Sequence, residues 1–364
     1  MAEYISFQPS DFFSTVLYTG NDGTNAITGV GFQPDFCWIK KRSAVASNSL
    51  HDVPRGADKT LRSNSGGAQT TNDYFDSFDS DGFTVSTGES DVNANAATYV
   101  GWNWKAETTT GIDTTGSTIT PTAYAFNQTA GCSIITYTGN TTAGATIPHG
   151  LGVAPDVIWV KNTQTAEAWS CQYKASTGPH SGTTQLGPTK DMTLNDTNAQ
   201  RTVSLWNDTA PDAVNFVVGS GGNTNLAETH VAYCWADIRG YSKSGIYGGN
   251  SSADGPFIFC GFRPAMIIIK KFYGTTGGSG GGDQWQMFDN KRVGYNEAGN
   301  YVLNPSANAA EQDTGQGGGD IWFLSNGFKA GNAGELNEDD NTYLYQAFAE
   351  FPLVSSNDVP TVAR

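Results

Sequence analysis

Basic residues are scarce in this chain of 364 residues. Its 20 lysines and arginines stand against 35 aspartates and glutamates, which gives a formal net charge of −15. No basic cluster is longer than residues 40–42. Because contacts with nucleic-acid phosphates need a basic surface, nucleic acid is not an expected partner. The same deficit argues against electrostatic docking on an anionic membrane.

The sequence also lacks long apolar runs and a leader segment. Residues 231–236 form the longest apolar run, which is too short to cross a bilayer. Residues 1–6 show no basic start followed by an apolar stretch, so we predict no secretory signal. The five cysteines include no C-x-x-C pair, and most of them lie in apolar runs. We therefore expect buried structural thiols and synthesis in a reducing cytoplasm.

Glycine and aromatic residues are abundant instead. The chain has 44 glycines and an aromatic content of 12%, a composition that favours strands and turns over helices. Hydrophobic residues make up 38% and charged residues only 15%, without charged blocks, so the chain has enough apolar side chains for a packed core. The composition predicts a globular all-β protein.

Two sequence landmarks recur three times. The first is a Tyr-Thr-Gly-Asn turn at residues 18–21 and 137–140 and, with one change, at 247–250. The second is Gly-x-x-Pro followed by an apolar run that ends in lysine, at residues 31–40, 152–161 and 261–270. The proline marks the start of a strand, and the apolar run predicts a strand buried on both faces. We expect the terminal lysine to mark the exit of that strand to solvent.

Two further landmarks follow in each copy. The third is an aromatic residue in or after a turn, at Phe83, Phe216 and Phe328. The fourth is an aromatic-rich strand at residues 98–104, 230–235 and 342–348. In the first of these strands Tyr99 and Gly101 alternate with Val100 and Trp102, which is the period of two expected for a strand.

The spacing predicts three tandem β-sandwich-like modules, of the jelly-roll or lectin-like kind, each about 110 residues long. We place them at residues 1–108, 109–240 and 241–352, with a C-terminal tail at 353–364. The pattern leaves open whether the modules are separate beads or share sheets around a pseudo-threefold axis.

No catalytic motif emerges from the sequence. Nucleophile-elbow, zinc-protease and phosphate-loop patterns are missing, and the four histidines are far apart. We therefore predict that the chain is not an enzyme. A pair of glycosidase carboxylates is defined by distance in space, so a glycan depolymerase stays open as an alternative.

Two sets of side chains are candidate ligand contacts. Asp76, Asp79 and Asp81 cluster before a glycine, and carboxylate oxygens are the ligands that Ca²⁺ prefers. The alternative, which we favour, is a plain Asp-Gly turn, because the third copy has Ser-Asn-Gly there, at residues 325–327. No other cofactor is expected.

The second set is aromatic. Trp169, Trp206 and Trp285 fall outside the landmarks, in the variable segments, where flat rings can stack on sugar faces. The alternative is that these tryptophans are buried packing residues.

The landmarks, taken together, resemble a known family. The strings at residues 18–21, 31–40, 79–84, 99–106 and 240–250, and the ending at 348–364, resemble repeats in virion proteins of tailed phages, best represented in marine phages. The resemblance implies a structural protein on the outside of a phage particle, commonly labelled tail fibre or lectin-like. It brings no catalytic residues.

We therefore expect a virion surface protein of the tail fibre or tail tip, or a receptor-binding subunit, with host surface glycans as a candidate ligand. The alternatives are a capsid (head) decoration or head-fibre protein without a ligand, and the depolymerase. The expected partners are other virion proteins and further copies of the chain, with a trimer as the favoured oligomer. Neither nucleic-acid binding nor membrane insertion is expected.

Overall fold

A computed structural model of the chain describes residues 5–180, 182, 184–274, 283–292, 300–313, 320–331 and 334–354. Over these residues the chain is built almost wholly of antiparallel strands, with a single 3-10 turn at Pro9–Asp11 and one short helix, α1, at Gly222–Asn225. The prediction of an all-β protein is confirmed.

The first third of the chain forms a main sheet and a smaller outer sheet. Its strands are β1 (Phe13–Thr19), β2 (Asn25–Thr28), β3 (Phe36–Lys41), β4 (Asn48–Asp52), β5 (Lys59–Thr60), β6 (Thr70–Thr71), β7 (Phe75–Asp79), β8 (Gly82–Val85) and β9 (Thr98–Trp104). Strands β1-β9-β3-β4, in that order, form what we call the first sheet. Strands β2-β8-β7 form the first outer sheet, and β5 pairs with β6.

The middle third repeats this division. Its strands are β10 (Pro121–Asn127), β11 (Cys132–Thr138), β12 (Ala145–Pro148), β13 (Val157–Asn162), β14 (Ser170–Tyr173), β15 (Ser176–Thr177), β16 (Thr184–Gln185), β17 (Lys190–Asp191), β18 (Arg201–Thr202), β19 (Asn215–Val218) and β20 (Thr229–Trp235). The second sheet has the order β10-β11-β20-β13-β14, and β12 with β19 forms the second outer sheet. Strands β15 with β16 and β17 with β18 form two-stranded ladders.

The last third follows the same plan. Its strands are β21 (Ser242–Gly248), β22 (Phe257–Phe259), β23 (Phe262–Tyr273), β24 (Trp285–Asp289), β25 (Tyr301–Val302), β26 (Gln312–Asp313), β27 (Ile321–Leu324), β28 (Gly327–Ala330) and β29 (Thr342–Pro352). The third sheet has the order β21-β29-β23-β24, and β22-β28-β27 forms the third outer sheet. Strands β25 and β26 pair with each other.

The same strand order therefore occurs in each main sheet: β1-β9-β3-β4, β11-β20-β13-β14 and β21-β29-β23-β24. The registers agree as well. Phe36 on β3 lies opposite Asp52, Val157 on β13 opposite Tyr173, and Met266 on β23 opposite Asp289. These registers define which positions of the three sheets are equivalent.

Each main sheet buries both of its faces, because side chains alternate along a strand. On β3, Cys37 and Ile39 pack outward against Ile27 and Phe83 of the first outer sheet. The neighbouring side chains Phe36 and Trp38 point the other way, into a core that contains residues of all three sheets. The prediction that the apolar runs are strands buried on both faces is confirmed.

Over the described residues the main sheets are not joined to one another by strand pairing, but they share this central core. Each outer sheet completes a separate core with its own main sheet. Each main sheet and its outer sheet thus form a sandwich-like unit, and these units meet around a common interior.

The Tyr-Thr-Gly-Asn turn closes each main sheet onto a buried asparagine. The backbone N–H groups of Asn21, Asn140 and Asn250 donate to the side-chain oxygens of Asn93, Asn225 and Asn337 over 3.1, 2.8 and 2.9 Å. The glycine before each turn asparagine permits this approach. A Cβ on Gly20 would lie 2.2 Å from the backbone oxygen of Ala94, well inside van der Waals contact. The landmark is thus a backbone clip between the start and the end of each module.

Candidate functional site

The main sheets meet at aromatic residues that occupy equivalent positions. Trp104, at the end of β9, has its ring centroid 6.4 Å from Trp235 on β20 and 5.4 Å from Phe348 on β29. Trp38 and Trp159, which are also equivalent, lie 6.0 Å apart with edge-to-face geometry. Because each sheet contributes the same positions, the centre has an approximate threefold arrangement within one chain.

A buried ion pair joins the second sheet to the first. The Asp52 carboxylate accepts a 2.6 Å hydrogen bond from the Arg55 Nε and another of 2.6 Å from the Tyr233 hydroxyl on β20. Arg55 also donates to the backbone oxygen of Leu50 over 3.0 Å. The pair is almost wholly buried, with side-chain exposures of 3% and 0%. We call this group of residues the first clasp.

The same motif joins the first sheet to the third. The Asp289 carboxylate accepts a 2.6 Å hydrogen bond from the Arg292 Nε and a 3.0 Å hydrogen bond from the Trp102 indole N–H on β9. Arg292 donates to the backbone oxygen of Met287 over 2.8 Å, as Arg55 does at the equivalent place. Its guanidinium also lies 5.5 Å from the Trp102 ring centroid, within cation–π range. This is the second clasp.

The second clasp extends to the protein surface through a further carboxylate. Glu311 accepts from Arg292 over 3.2 Å and, on its other side, from the Nε and Nη2 of Arg42, each over 2.9 Å. Arg42 follows β3 of the first sheet, so this bidentate pair adds a second polar link between the first and third parts of the chain.

The remaining interface has no carboxylate at the equivalent position. Tyr173 replaces the aspartate, and its hydroxyl accepts a 3.1 Å hydrogen bond from the Trp159 indole N–H. The Tyr173 ring lies 6.3 Å from Trp285, so this contact between the second and third sheets is aromatic. By register, Gln346 occupies the place of Trp102 and Tyr233, and its buried Oε1 has no hydrogen-bond partner.

A second set of hydrogen bonds also links each third of the chain to another third around the central core. The side chains of Asn48, Trp169 and Trp285 occupy equivalent positions, and each donates an N–H to a backbone oxygen of another third of the chain. Asn48 donates to Asn304 over 3.1 Å, Trp169 to Arg62 over 3.0 Å, and Trp285 to Thr193 over 2.9 Å. The first third is thus bound to the third, the second to the first, and the third to the second.

These positions correct the expectation of sugar-stacking tryptophans. Trp169, Trp206 and Trp285 are each 0% exposed. Trp169 and Trp285 belong to the central core, and Trp206 belongs to the core between the second sheet and its outer sheet. Their rings present no face to a sugar, so the alternative of buried packing residues holds.

The calcium candidates lie on β7 and in the turn that follows it. Asp79 accepts hydrogen bonds from Ser77 and Thr84, over 2.7 and 2.6 Å. Asp81 accepts from the backbone N–H groups of Gly29 and Gly31, over 3.1 and 2.7 Å. These bonds, Gly31 first, lower the pKa of the Asp81 carboxyl. The two carboxylates thus close a turn, and Asp76 is exposed beside them.

A different group does bring potential metal ligands together. Within the described residues, ligand atoms of His180, Asp339 and Asp340 lie within 4.8 Å of one another, and all three side chains are exposed. Two nearby carboxylates make protein contacts instead: Glu338 pairs with Lys271 over 2.8 Å, and Glu335 accepts a hydrogen bond from Gln286 over 3.1 Å.

The lysine that ends each apolar run is buried, so the expected exit to solvent is wrong. Lys40, Lys161 and Lys270 are each 0% exposed. Their ammonium groups donate to backbone oxygens: Lys40 to Ala46 over 2.8 Å, Lys161 to Asn162 over 2.6 Å, and Lys270 to Asp283. Burial lowers the pKa of each of these lysines to about 8.

Three of the histidines are buried as well. His51 is stacked on Phe75 at 4.4 Å, and its Nε2 lies 2.9 Å from the Ser49 hydroxyl. Burial, and then the charge of Arg55, lower the pKa of His51 to about 3. Burial also lowers the pKa of His149 and His230. These neutral rings act as packing groups.

Sequence reasoning missed the clasps and the buried asparagines, although both leave a signal. Asp-x-x-Arg occurs at residues 52–55 and 289–292, beginning at the last residue of β4 and of β24. Asn93, Asn225 and Asn337 precede Tyr99, His230 and Tyr343 of the fourth landmark by five or six residues. A search for polar recurrences beside the apolar ones would have found them.

The fold and its centre define a class of protein: an all-β chain in which antiparallel sheets, each backed by a smaller sheet, enclose one aromatic core. Residues 8–352 match the family described as Domain of unknown function (DUF7483), and the chain belongs to that family. No curated protein matches the chain. Among the described residues, no helix is long and apolar enough to cross a membrane.

Proposed function

We propose that the chain is a non-catalytic structural subunit on the outside of a tailed-phage particle, built from three copies of one β-module. The observation that carries the proposal is the use of equivalent positions to lock the sheets together, seen in Asn48, Trp169 and Trp285. A building protein needs such a rigid body. The assignment to a phage particle rests on the similarity of the landmark strings to repeats in phage virion proteins.

The use of the buried ionisable groups supports a structural role. Asp52 and Asp289 are each held by an arginine and by a donor from another sheet. Burial of an ion pair costs free energy unless its hydrogen bonds are satisfied, and both pairs here lie where two main sheets meet. These titratable groups therefore hold the sheets together.

The shared core favours a compact subunit over a fibre shaft. A shaft repeats along an axis, whereas the sheets here close around one interior. Within the proposal we therefore place the chain at a tail tip or on the head surface. Its net charge of −15 suits a surface subunit that must remain soluble at high local concentration.

Immunogold electron microscopy tests this role directly. Antibodies against the purified chain are applied to particles of the phage whose genome encodes the chain. Gold at the tail tip or on the head supports the proposal and distinguishes the two positions. Particles that contain the protein by mass spectrometry but bind gold only after disruption would place it inside and contradict the proposal.

Two assays separate this role from the alternatives. Incubation of the purified chain with host polysaccharide should leave the polymer length unchanged, and shortened chains would establish a depolymerase instead. Labelled protein that adsorbs to host cells would assign a receptor-binding role, whereas a decoration subunit should not adsorb. We also propose association into a trimer, which light scattering at high concentration should show; a monodisperse monomer would contradict that part.

A further inference from the structure

Three side chains that can bind a metal ion meet on the surface, and they come from two different thirds of the chain. His180 follows β15 in the middle third, whereas Asp339 and Asp340 precede β29 in the last third. One ligand atom of each residue lies within 4.8 Å of the other two. Protein ligands bind Zn²⁺ at about 2.0–2.2 Å, which places them about 3.4 Å from one another around a tetrahedral ion. Small side-chain rotations therefore bring these three atoms onto one ion.

The set of ligand atoms favours a transition-metal ion. An imidazole nitrogen with two carboxylate oxygens suits Zn²⁺ and similar divalent ions, whereas Ca²⁺ and Mg²⁺ prefer oxygen ligands alone. Within the described parts of the chain, neither aspartate pairs with a lysine or an arginine. Lys271 is instead bound to Glu338 and Asp283, over 2.8 and 3.2 Å. Two formal negative charges therefore lie beside the imidazole, and a divalent cation balances them.

The third copy of the Tyr-Thr-Gly-Asn landmark makes room for the histidine. Residue 248, at the end of β21, is glycine, whereas the equivalent residues of the first and second sheets are Thr19 and Thr138. A Cβ on Gly248 would lie 2.4 Å from the Nε2 of His180 and 3.1 Å from the Cγ of Pro179. A threonine there would therefore push the imidazole ring aside. The single change in the landmark is thus the change that lets His180 lie beside the aspartates.

The fold does not account for the two carboxylates either. The first module has the same turn, with Asn95 and Ala96 at the equivalent places. Both turns follow a buried asparagine, Asn93 or Asn337, by the same number of residues. Ala96 and Asp340 even share a φ of 59°. Uncharged residues therefore meet the backbone requirements of this turn, and the carboxylates are an addition of the last third.

We propose that His180, Asp339 and Asp340 bind a divalent transition-metal ion, with water in the remaining coordination positions. The ion joins the middle third of the chain to the last third. The two clasps link the other pairs of main sheets, and between the second and third sheets Tyr173 replaces the clasp aspartate. The ion thus adds a polar link at the interface that lacks a clasp. The inference does not depend on the virion role, because it follows from the ligand set and from Gly248.

Isothermal titration of the full chain with Zn²⁺ tests the proposal, in a large excess of Mg²⁺ that occupies plain carboxylate sites. One Zn²⁺ should bind per chain. It should also raise the melting temperature, because it binds the folded chain at residues that lie far apart in sequence. No binding of Zn²⁺, or binding that the Mg²⁺ abolishes, would overturn the proposal, since an acidic surface without a site would explain both.

A ligand variant and a control locate the ion. His180→Gln removes the nitrogen ligand, so it should weaken Zn²⁺ binding by about tenfold or more and abolish the rise in melting temperature. Asp76→Asn removes an exposed carboxylate elsewhere and should bind Zn²⁺ as the wild type does. Equal affinities of the two variants would contradict the assignment.

Gly248→Thr is a more specific test, because it changes no ligand. It restores the residue that the first two copies have at this position, so the fold should be kept. The displaced imidazole should weaken Zn²⁺ binding by about tenfold. An unchanged Zn²⁺ affinity, with the fold intact by circular dichroism, would contradict the role that the proposal gives to Gly248.

Discussion

The hydroxyl of Tyr233 donates a 2.6 Å hydrogen bond to the carboxylate of Asp52, and the two residues belong to different sheets and are 181 residues apart in sequence. The same carboxylate holds Arg55, so one buried oxygen both neutralises a cation and joins two modules. Trp102 and Asp289 repeat the arrangement at the next interface. The clasps therefore couple the stability of each sheet to that of its neighbour.

Asp52→Asn should destabilise the whole chain by about 3–5 kcal/mol, because it leaves the Arg55 guanidinium buried without its counter-charge. Denaturant unfolding measures the change. The matched control is Asp58→Asn, whose ion pair with Lys59 is half exposed, so its effect should be about 0.5 kcal/mol or less. Equal effects of the two substitutions would show that the clasp contributes no more than a surface pair.

Gly20→Ala should be destabilising by about 2 kcal/mol or more, because the new Cβ would push the backbone of Ala94 away and break the bond between Asn21 and Asn93. Gly23→Ala, three residues further on, meets nothing nearer than 3.6 Å and serves as the control. Thermal melts of both variants give the comparison. Equal melting temperatures of the two variants would show that the turn does not require a glycine at position 20.

His51→Phe should reduce the loss of stability in acid. The folded pKa of His51, about 3, is below its value in the unfolded chain, so the unfolded chain binds more protons between about pH 3 and pH 6.5. Stability due to this group is therefore present above about pH 6.5 and is lost as the pH falls, by up to about 5 kcal/mol. Phenylalanine is the residue at the equivalent position 288.

The free energy of unfolding is measured for wild type and His51→Phe across this pH range. As the pH falls, the wild type should lose stability faster, so the two curves should approach each other or cross. A constant difference between wild type and His51→Phe would mean that His51 does not resist protonation.

Lys161→Met should remove a rise in stability at alkaline pH. The pKa of Lys161 is lowered to about 8, so between about pH 8 and pH 10 the unfolded chain binds more protons, and stability increases with pH. The advantage of wild type over the variant should grow by about 2 kcal/mol over that range. Cysteine and tyrosine ionisation affects both proteins alike and cancels in the difference.

The control for this experiment is Lys190→Met, which removes a surface ammonium that donates to Thr202. Its difference from wild type should stay flat with pH. A flat difference for Lys161→Met as well would show that the buried ammonium titrates as an ordinary lysine.

The sequence predicted the strands better than their surroundings. The all-β class followed from the glycine-rich and aromatic-rich composition, and the doubly buried strands followed from the continuous apolar runs. Burial of Lys40 did not follow, because the loop at Asn308 that covers its ammonium comes from the other end of the chain. Periodicity within a strand carries no information about such a cover.

The tryptophans were misplaced for the same reason. Trp169 and Trp285 donate to backbone oxygens that lie 107 and 92 residues earlier in the chain. A tryptophan in a variable segment has the same local pattern whether it faces a sugar or another module. Only the packing of whole modules distinguishes the two, and that packing was left open by the sequence.

Differential scanning calorimetry of the full chain tests the central claim, that the sheets form one body around a shared core. The account predicts a single transition whose calorimetric and van't Hoff enthalpies agree, and which Asp52→Asn moves to lower temperature without splitting. Separate transitions, or a calorimetric enthalpy roughly two to three times the van't Hoff value, would show modules that unfold independently and would contradict it.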